Sequence, residues 1–374
     1  MSNSRNFIAL GLMSGTSADG IDIALIETNG KDKIILKSSH NYPFSKEFSK
    51  KIKKNFAKNI NKGNLKKRKI KELEKEFTNL NYAAIKKFFR EKKINQNKVD
   101  VVGFHGQTIS HNPEKGYSYQ LGDSQRLADL LKIKVVSNFR DNDVKNGGEG
   151  APLTPIFHYY LTKKIKKKIC FLNLGGISNI TWIDHAKKKG INNILAYDVG
   201  PCCSLLDDWV NFKINKKYDN FGTYAKKGVP NRKILQTYLK NDFFFKKPPK
   251  SLDRSYFSIA ILKHLTLYDG SATLSKFIIE SLKNSLIFLP SKPDLLIISG
   301  GGRKNSYLIN QINKYIKTNI KLSEEFNWDG DSIEAYAFGF LSVRRLLNLF
   351  ISFPKTTKVK KPLIGGKIFN FIPN

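Results

Sequence analysis

Ser14-Gly15-Thr16-Ser17-Ala18-Asp19-Gly20 is a run of small, hydroxylated and acidic residues between two apolar runs, 7–13 and 21–26. That make-up suits a phosphate. Gly15 and Gly20 can take backbone angles closed to other residues, and such a loop turns successive N–H groups and hydroxyls toward one point. Asp19 and Asp22 add carboxylates that could hold a Mg2+ through water, and Asp19 is the metal candidate. The competing use is an ordinary hairpin with a polar turn. Asp198 ends the apolar run 193–197 and precedes Gly200-Pro201. Phosphoryl transfer to a hydroxyl or to water needs one positioned base near the nucleophile. The alternative for Asp198 is to cap a helix over 204–212. Gly300-Gly301-Gly302-Arg303 precedes a helical run at 304–317, which allows close backbone approach of an adenosine at a helix start; a plain connecting loop is the other possibility. Arg140 either grips an anion bidentately or pairs with Asp141 and Asp143. His105 and His111 belong to a type more often structural than catalytic. Glu334, in the first turn of the last helix, favours the helix dipole.

The elements that must carry these residues alternate as strands and helices. Strands are expected at 7–13, 21–26 and 33–38, then a long basic helical region to about 93, with buried strands at 100–104 and 133–136. His105-Gly106-Gln107-Thr108 is expected to be a turn after the first of these. A strand at 117–121 and a helix at 123–131, capped by Asp123, complete the first half. Residues 146–152, Asn-Gly-Gly-Glu-Gly-Ala-Pro, read as loop or hinge. Beyond it the plan repeats. The strand 168–174, the turn Gly175-Gly176-Ile177-Ser178-Asn179 and the strand 180–184 copy the opening strand–turn–strand, and 193–197 and 294–299 follow as strands. A long helix is expected at 331–349 and an irregular basic tail after 353. Two similar α/β halves imply a cleft lined by strand-end loops. No GxxxxGK[ST], GxGxxG or GxSxG is present, so a nucleotide would lie between the two Gly/Ser/Thr turns rather than on a P-loop.

Composition narrows the class. The 374 residues carry a formal charge of +34 and are 40% hydrophobic, enough for a large core. The densest basic part, 46–98, places Leu73, Phe77, Leu80, Ile85 and Phe88 at helical spacing, so its lysines read as a solvated helix face and not as a nucleic-acid interface. No apolar run is long enough to span a membrane. The N-terminus lacks a basic leader and a cleavage site. Cys170, Cys202 and Cys203 form neither a disulfide framework nor a metal spacing, which points to a reduced, cytoplasmic setting.

Taken together the motifs resemble those of the anhydro-N-acetylmuramic acid kinases. They include GLMSGTSADGIDIAL (11–25), FHGQTISHNP (104–113), NFRDNDVKNGGEGAPLTPIFH (138–158), LNLGGISNIT (172–181), YDVGP (197–201), PPKSLDR (248–254), SGGGRKN (299–305) and GDSIEAYAFG (330–339), in the family's order. The resemblance implies an actin-like, hexokinase-type fold with two ribonuclease-H-like domains around a central ATP/substrate cleft. The boundaries expected are 1–140 plus 341–374 for one domain and 141–340 for the other. It implies hydrolysis of a 1,6-anhydro ring coupled to phosphorylation by ATP, giving N-acetylmuramic acid 6-phosphate in peptidoglycan recycling. By position, Asp198 becomes the base that activates water. Gly15, Thr16, Ser17, Ala18, Asp19, Gly20, Ile21 and Asp22 become the ATP phosphate loop, and Gly176, Gly301, Gly302 and Asn305 join them as nucleotide contacts. His105, Gln107, Arg140 and Glu334 fall to the sugar, and Mg2+ is expected on the phosphates. The partners implied are the amino sugar and ATP; a homodimer is one candidate assembly, which the sequence does not decide. The family commonly has Asp-Thr-Gly-Pro-Gly-Asn where this chain has Asp198-Val199-Gly200-Pro201-Cys202-Cys203. It commonly has Asp-Phe-Arg at Asn138-Phe139-Arg140, and Gln at Glu149. The alternatives are another actin-like carbohydrate kinase acting on a related amino sugar, a basic nucleic-acid binder, and a non-catalytic ATP-binding regulator.

Overall fold

The structure is a computed structural model that describes residues 5–15, 17–55, 64–186 and 190–373. Its chain divides into two compact units, Met1–Lys164 with Ser332–Asn374, and Ile165–Asp331.

Unit 1 opens on β1 (Phe7–Ser14), β2 (Gly20–Thr28) and β3 (Ile34–Pro43), an antiparallel meander. Helices α1 (Lys46–Lys53) and α2 (Asn64–Glu91) follow, then β4 (Val101–Asn112), β5 (Tyr117–Leu121), α3 (Ser124–Leu131) and β6 (Val135–Ser137). Two short helices, α4 (Asp141–Lys145) and α5 (Pro155–Leu161), end this part. Unit 2 has β7 (Lys168–Leu174), β8 (Ile177–Asp184), β9 (Ile194–Pro201), α6 (Cys203–Ile214), α7 (Arg232–Leu239), α8 (Leu267–Leu286), β10 (Leu295–Ser299), α9 (Ser306–Tyr315) and β11 (Asn319–Leu322). The chain returns to unit 1 with α10 (Ile333–Leu346), α11 (Pro354–Thr357) and β12 (Lys367–Phe369).

The duplication expected from sequence is visible in the strand order. Unit 2 runs β11-β10-β7-β8-β9, and unit 1 runs β6-β4-β1-β2-β3, with β12 beyond β6 and β5 paired to β4. Within each set the first three strands are antiparallel and the next two join in parallel. Strands β1 and β7 are apolar and nearly continuously buried, as central strands covered on both faces must be.

Each unit has its own core. In unit 1, Phe77, Ile85 and Phe88 of α2 pack with Leu10, Ile23, Phe104 and Leu127. Helix α10 lies on the opposite side of the sheet at unusually close range. A Cβ at Gly11 would stand 1.8 Å from the Ala335 carbonyl oxygen, and one at Gly103 would stand 2.2 Å from that of Phe338. In unit 2, Leu172, Ile298, Ile278 and Ile312 form one cluster, and Trp209, Tyr238 and Phe277 anchor a second.

Several boundaries differ from those expected. The division between units falls at 164/165 and 331/332, not 140/141 and 340/341, because α4, α5 and all of α10 belong to unit 1. His105–Thr108 is no turn: the N-terminal half of β4 pairs in parallel with β1 and its C-terminal half antiparallel with β5, so one strand runs through both. Asp198 lies inside β9 opposite Asn179, and Cys202, not Asp198, occupies the cap position of α6. The helix expected at 331–349 is shorter, and the tail is ordered: α11 follows Phe353, and β12 pairs antiparallel with β6.

Candidate active site

In unit 1 the β1–β2 loop is held from three sides. Ser14 Oγ lies 2.9 Å from the Gly20 carbonyl and 2.6 Å from Gln107 Oε1, two acceptors for its one proton, while Gln107 Nε2 donates to the Gly15 carbonyl at 3.0 Å. Gln107 is fully buried, so its amide clamps the loop. The loop closes on itself through Ala18 N to the Gly15 carbonyl, 3.0 Å, with Ala18 in the left-handed region at φ 48. Ser49 Oγ takes the Ala18 carbonyl. Because a trans peptide points C=O and the next N–H in opposite directions, the Asp19 N–H faces away from α1. Ser17 Oγ donates to Asp19 Oδ1 at 2.7 Å, and that carboxylate is exposed. Asp22 accepts from Asn41 Nδ2 at 2.8 Å. Ile21 and Ala18 bury their side chains in the core, so only their backbone is available to a ligand. Thr16 lies outside the described residues.

Also in unit 1, Arg140 donates to His105 Nε2 from Nε at 3.2 Å and Nη2 at 3.0 Å. A guanidinium has no acceptor, so Nε2 must accept and Nδ1 must carry the proton it gives to the Gly106 carbonyl, 2.8 Å away. Burial and the Arg140 charge both hold His105 well below the usual imidazole range. His105 is therefore neutral and sits on the Phe338 ring at 4.4 Å. It braces Arg140. Burial pushes the Glu334 carboxyl up, and Arg140 pulls it back toward the ionised form. The loop 146–150 packs against this group. Gly150 N donates to Asp143 Oδ1 at 2.7 Å, Thr357 Oγ1 donates to the other oxygen, and a Cβ on Gly150 would meet His111 Cε1 at 3.1 Å.

Unit 2 carries the remaining residues. Asp198 is 7% exposed; its Oδ2 accepts from Leu252 N at 2.8 Å, and its own N–H donates to the Lys250 carbonyl at 2.9 Å. The Gly175-Gly176 turn gives its carbonyls to the start of α6. Gly175 O accepts from Cys203 N at 3.1 Å, and Gly176 O accepts from Cys202 N at 3.0 Å and Ser204 Oγ at 2.8 Å. The Gly176 N–H thus points away from α6. Gly300 takes φ 81, and a Cβ there would stand 2.2 Å from Asn173 Oδ1. A Cβ on Gly302 would meet Cys203 Sγ at 2.8 Å, whereas one on Gly301 would meet nothing within 4 Å. Gly301 borders open space. Asn305 caps α9 by accepting from Leu308 N at 3.0 Å. Buried Arg303 pins this loop, donating to the Gly300 carbonyl at 3.0 Å while paired with Asp331 and Glu324.

The family model for anhydro-N-acetylmuramic acid kinase matches residues 7–371. A protein of that name from Zymomonas mobilis is 40% identical over 369 residues, covering 96% of this chain and 99% of the relative. One from Pelagibacter ubique is also 40% identical, over 377 residues, with 96% and 97% covered. The chain belongs to the anhydro-N-acetylmuramic acid kinase family. It is thus an ATP-dependent sugar kinase, and the repeated β-sheet plan of its two units is that expected of the actin/hexokinase type. Among solved structures, a ROK-family glucokinase from Streptomyces griseus aligns at TM-score 0.40 with 10% identity, covering 89% of this chain and 97% of the other.

Four residues at these sites lie in the motifs that carry the resemblance, yet residue type assigned none of them the role that the fold shows. Lys250 and Leu252 fix Asp198 through backbone atoms, which residue type does not reveal. Asp143 had only the possibility of an ion pair with Arg140, and instead it holds the 146–150 loop. Arg303 is a basic residue in a basic chain, and only its burial marks it.

Proposed function

We propose that this kinase cleaves the anhydro bond of 1,6-anhydro-N-acetylmuramic acid and phosphorylates O6, with Asp198 as the base. Asp198 takes a proton from water as the water oxygen bonds to C1. The C1–O6 bond breaks, and O6 attacks the γ-phosphorus of ATP as the bond to the β–γ bridging oxygen breaks and ADP leaves. The products are N-acetylmuramic acid 6-phosphate, ADP and the proton held by Asp198. The observation that carries this reading is Asp198 itself, a carboxylate nearly fully buried inside a strand and held by a backbone N–H rather than neutralised as a helix cap.

The backbone of 15–22 and the N–H of Gly176 suit the phosphates, and Gly301, Gly302 and Asn305 suit the adenosine. Arg140, braced by neutral His105, and Glu334 suit the carboxylate and hydroxyls of the sugar. Gln107 serves the site by clamping the loop. Among the described residues no group of three His, Cys, Asp or Glu could hold a metal, so Mg2+ would be carried mainly by phosphate oxygens and water, with the exposed Asp19 as its protein partner through water. Its chemistry there is to offset phosphate charge. No helix among the described residues is long and apolar enough to cross a membrane; the cytoplasm, where ATP is made available, is the setting we propose.

The test is turnover of ATP with the anhydro sugar in 18O-water. One labelled oxygen at C1 per phosphate transferred is expected. Phosphorylation without label would mean a kinase acting on an ordinary hydroxyl, and no transfer at all would overturn the reading.

A further inference from the structure

Lys250 is a buried charge beside Asp198 that the mechanism above does not use. It is 4% exposed, yet carries an ammonium group. Burying such a group is costly unless its protons are bonded and an opposite charge is near. Its Nζ donates to the Phe243 carbonyl at 2.8 Å and lies over the Phe243 ring at 4.5 Å and the Phe288 ring at 5.1 Å. The same residue's carbonyl accepts from Asp198 N, and two residues on, Leu252 N donates to the Asp198 carboxylate. A tether on the Lys250 side chain is therefore a tether on the strip that grips Asp198 from both sides.

Building on the role of Asp198 as base, we propose that Lys250 is its positioning residue: the ammonium anchors strip 248–252 against the Phe243 carbonyl, and its charge favours the ionised carboxylate. Among the titratable groups facing it, Asp198 on β9 is the one that stabilises the ammonium, and Lys246 in the preceding loop opposes it. The turn at 242–244 and the segment after α8 present the Phe243 carbonyl and two aromatic rings. Burial brings the Lys250 amine down to about 8. The coupling has a sign. The ammonium charge favours the carboxylate; above about 8 that charge is lost, and the strip keeps only the weaker hydrogen bond that a neutral amine donates to the Phe243 carbonyl.

The experiment is the pH profile of kcat and kcat/KM for full-length wild type, K250M and K250R, with ATP and the anhydro sugar. Wild type is expected to lose activity above about pH 8. K250M is expected to lose on the order of tenfold in kcat with KM for ATP little changed, and to shift its acid limb upward by roughly one unit. K250R, which keeps the charge, is expected to restore the acid limb and move the alkaline limb beyond reach. A K250M profile that superimposes on wild type overturns the proposal, as does equal loss in kcat and ATP affinity with unmoved limbs. A wild-type profile flat from about pH 7 to 10 overturns it with no variant needed, so poor folding of K250M does not shield it. Asp198→Asn separates the two claims. If it is inert while K250M behaves as wild type, only the Lys250 inference falls; if it turns over normally, the base assignment falls and takes this one with it.

Discussion

The two units build the same strand plan and use its first hairpin differently. In unit 1 the β1–β2 link is the five residues 15–19, and it is held by side chains: Ser14, Gln107 and Ser49. In unit 2 the β7–β8 link is Gly175-Gly176 alone, and it is held mainly by backbone N–H groups at the start of α6, with the Ser204 hydroxyl as the one side-chain donor described. A longer loop must be fixed by groups reaching in from elsewhere, whereas a two-residue turn can dock directly on a helix start. The unit 1 loop can therefore be loosened by one side-chain substitution. The unit 2 turn resists such changes but fails when a neighbour crowds it.

Breaking this contrast starts with the largest effect. Asp198→Asn is expected to lower kcat by about 10²–10⁴-fold with ATP binding by calorimetry preserved, because the amide keeps the shape but cannot take a proton. Next comes crowding in unit 2. Gly302→Ala would push a methyl into Cys203 Sγ and to 3.0 Å from the Leu174 carbonyl, and should cost about 1–3 kcal/mol in thermal or denaturant unfolding. Gly301→Ala has open space and should unfold as the parent does, so any loss of ATP affinity it shows belongs to the ligand. Equal destabilisation of both would contradict the loop's assigned packing. In unit 1, Gln107→Leu takes the buried amide donor from the Gly15 carbonyl and leaves the Ser14 hydroxyl with the Gly20 carbonyl as its acceptor. A stability loss of about 1–3 kcal/mol and a rise of roughly tenfold in KM for ATP are expected. Ser204→Ala, the matching cut in unit 2, removes one of several donors to the Gly176 carbonyl and should do less.

Why these elements were or were not legible follows from the physics of each. Apolar strands and the Asp123-capped helix were readable because burial and capping leave local marks: β7 spans the expected 168–174, and Asp123 accepts from Arg126 N at 3.0 Å. His105–Thr108 was misread because Gly106 and a polar pair look like a turn. What makes them strand is pairing with β5 and β1, a non-local fact. Residues 15–22 and Asp198 stood out because phosphate loops and buried bases need particular residue types. The supports of Asp198, Lys250 O and Leu252 N, are backbone atoms some fifty residues away, and no residue type encodes them. The Arg140–His105 contact was hidden for a related reason: Arg140 had acidic neighbours in sequence, and only the fold shows that its guanidinium turns to an imidazole instead.

The smallest expected effect separates the units by acid. His105, His111 and His158, the imidazoles whose ionisation is clearly displaced, all lie in unit 1. Burial holds His158 down to about 3 from an ordinary 6.5, and burial with the Arg140 charge does the same for His111. A base with a depressed folded-state pKa contributes stability that is present above its unfolded value and lost as pH falls toward the folded one. Over the window from 6.5 to about 3 the unfolded chain binds more protons, so stability falls on acidification. The carboxyls that burial raises, Asp141, Asp143 and Glu334 in unit 1 and Asp219 in unit 2, work the other way as pH falls toward their folded-state values, so the histidine contribution is isolated by substituting one imidazole. Each such histidine is worth about 1.4 kcal/mol per pH unit. His158→Phe is expected to flatten the acid slope of unfolding by roughly that amount between pH 6 and 5, read by denaturant titration at each pH. Hydrogen exchange should show protection lost in β4 and α5, which carry these histidines, before β7 and β10. Loss that begins in unit 2, or a slope unchanged in His158→Phe, would break the contrast between the two halves at the point where burial predicts it most directly.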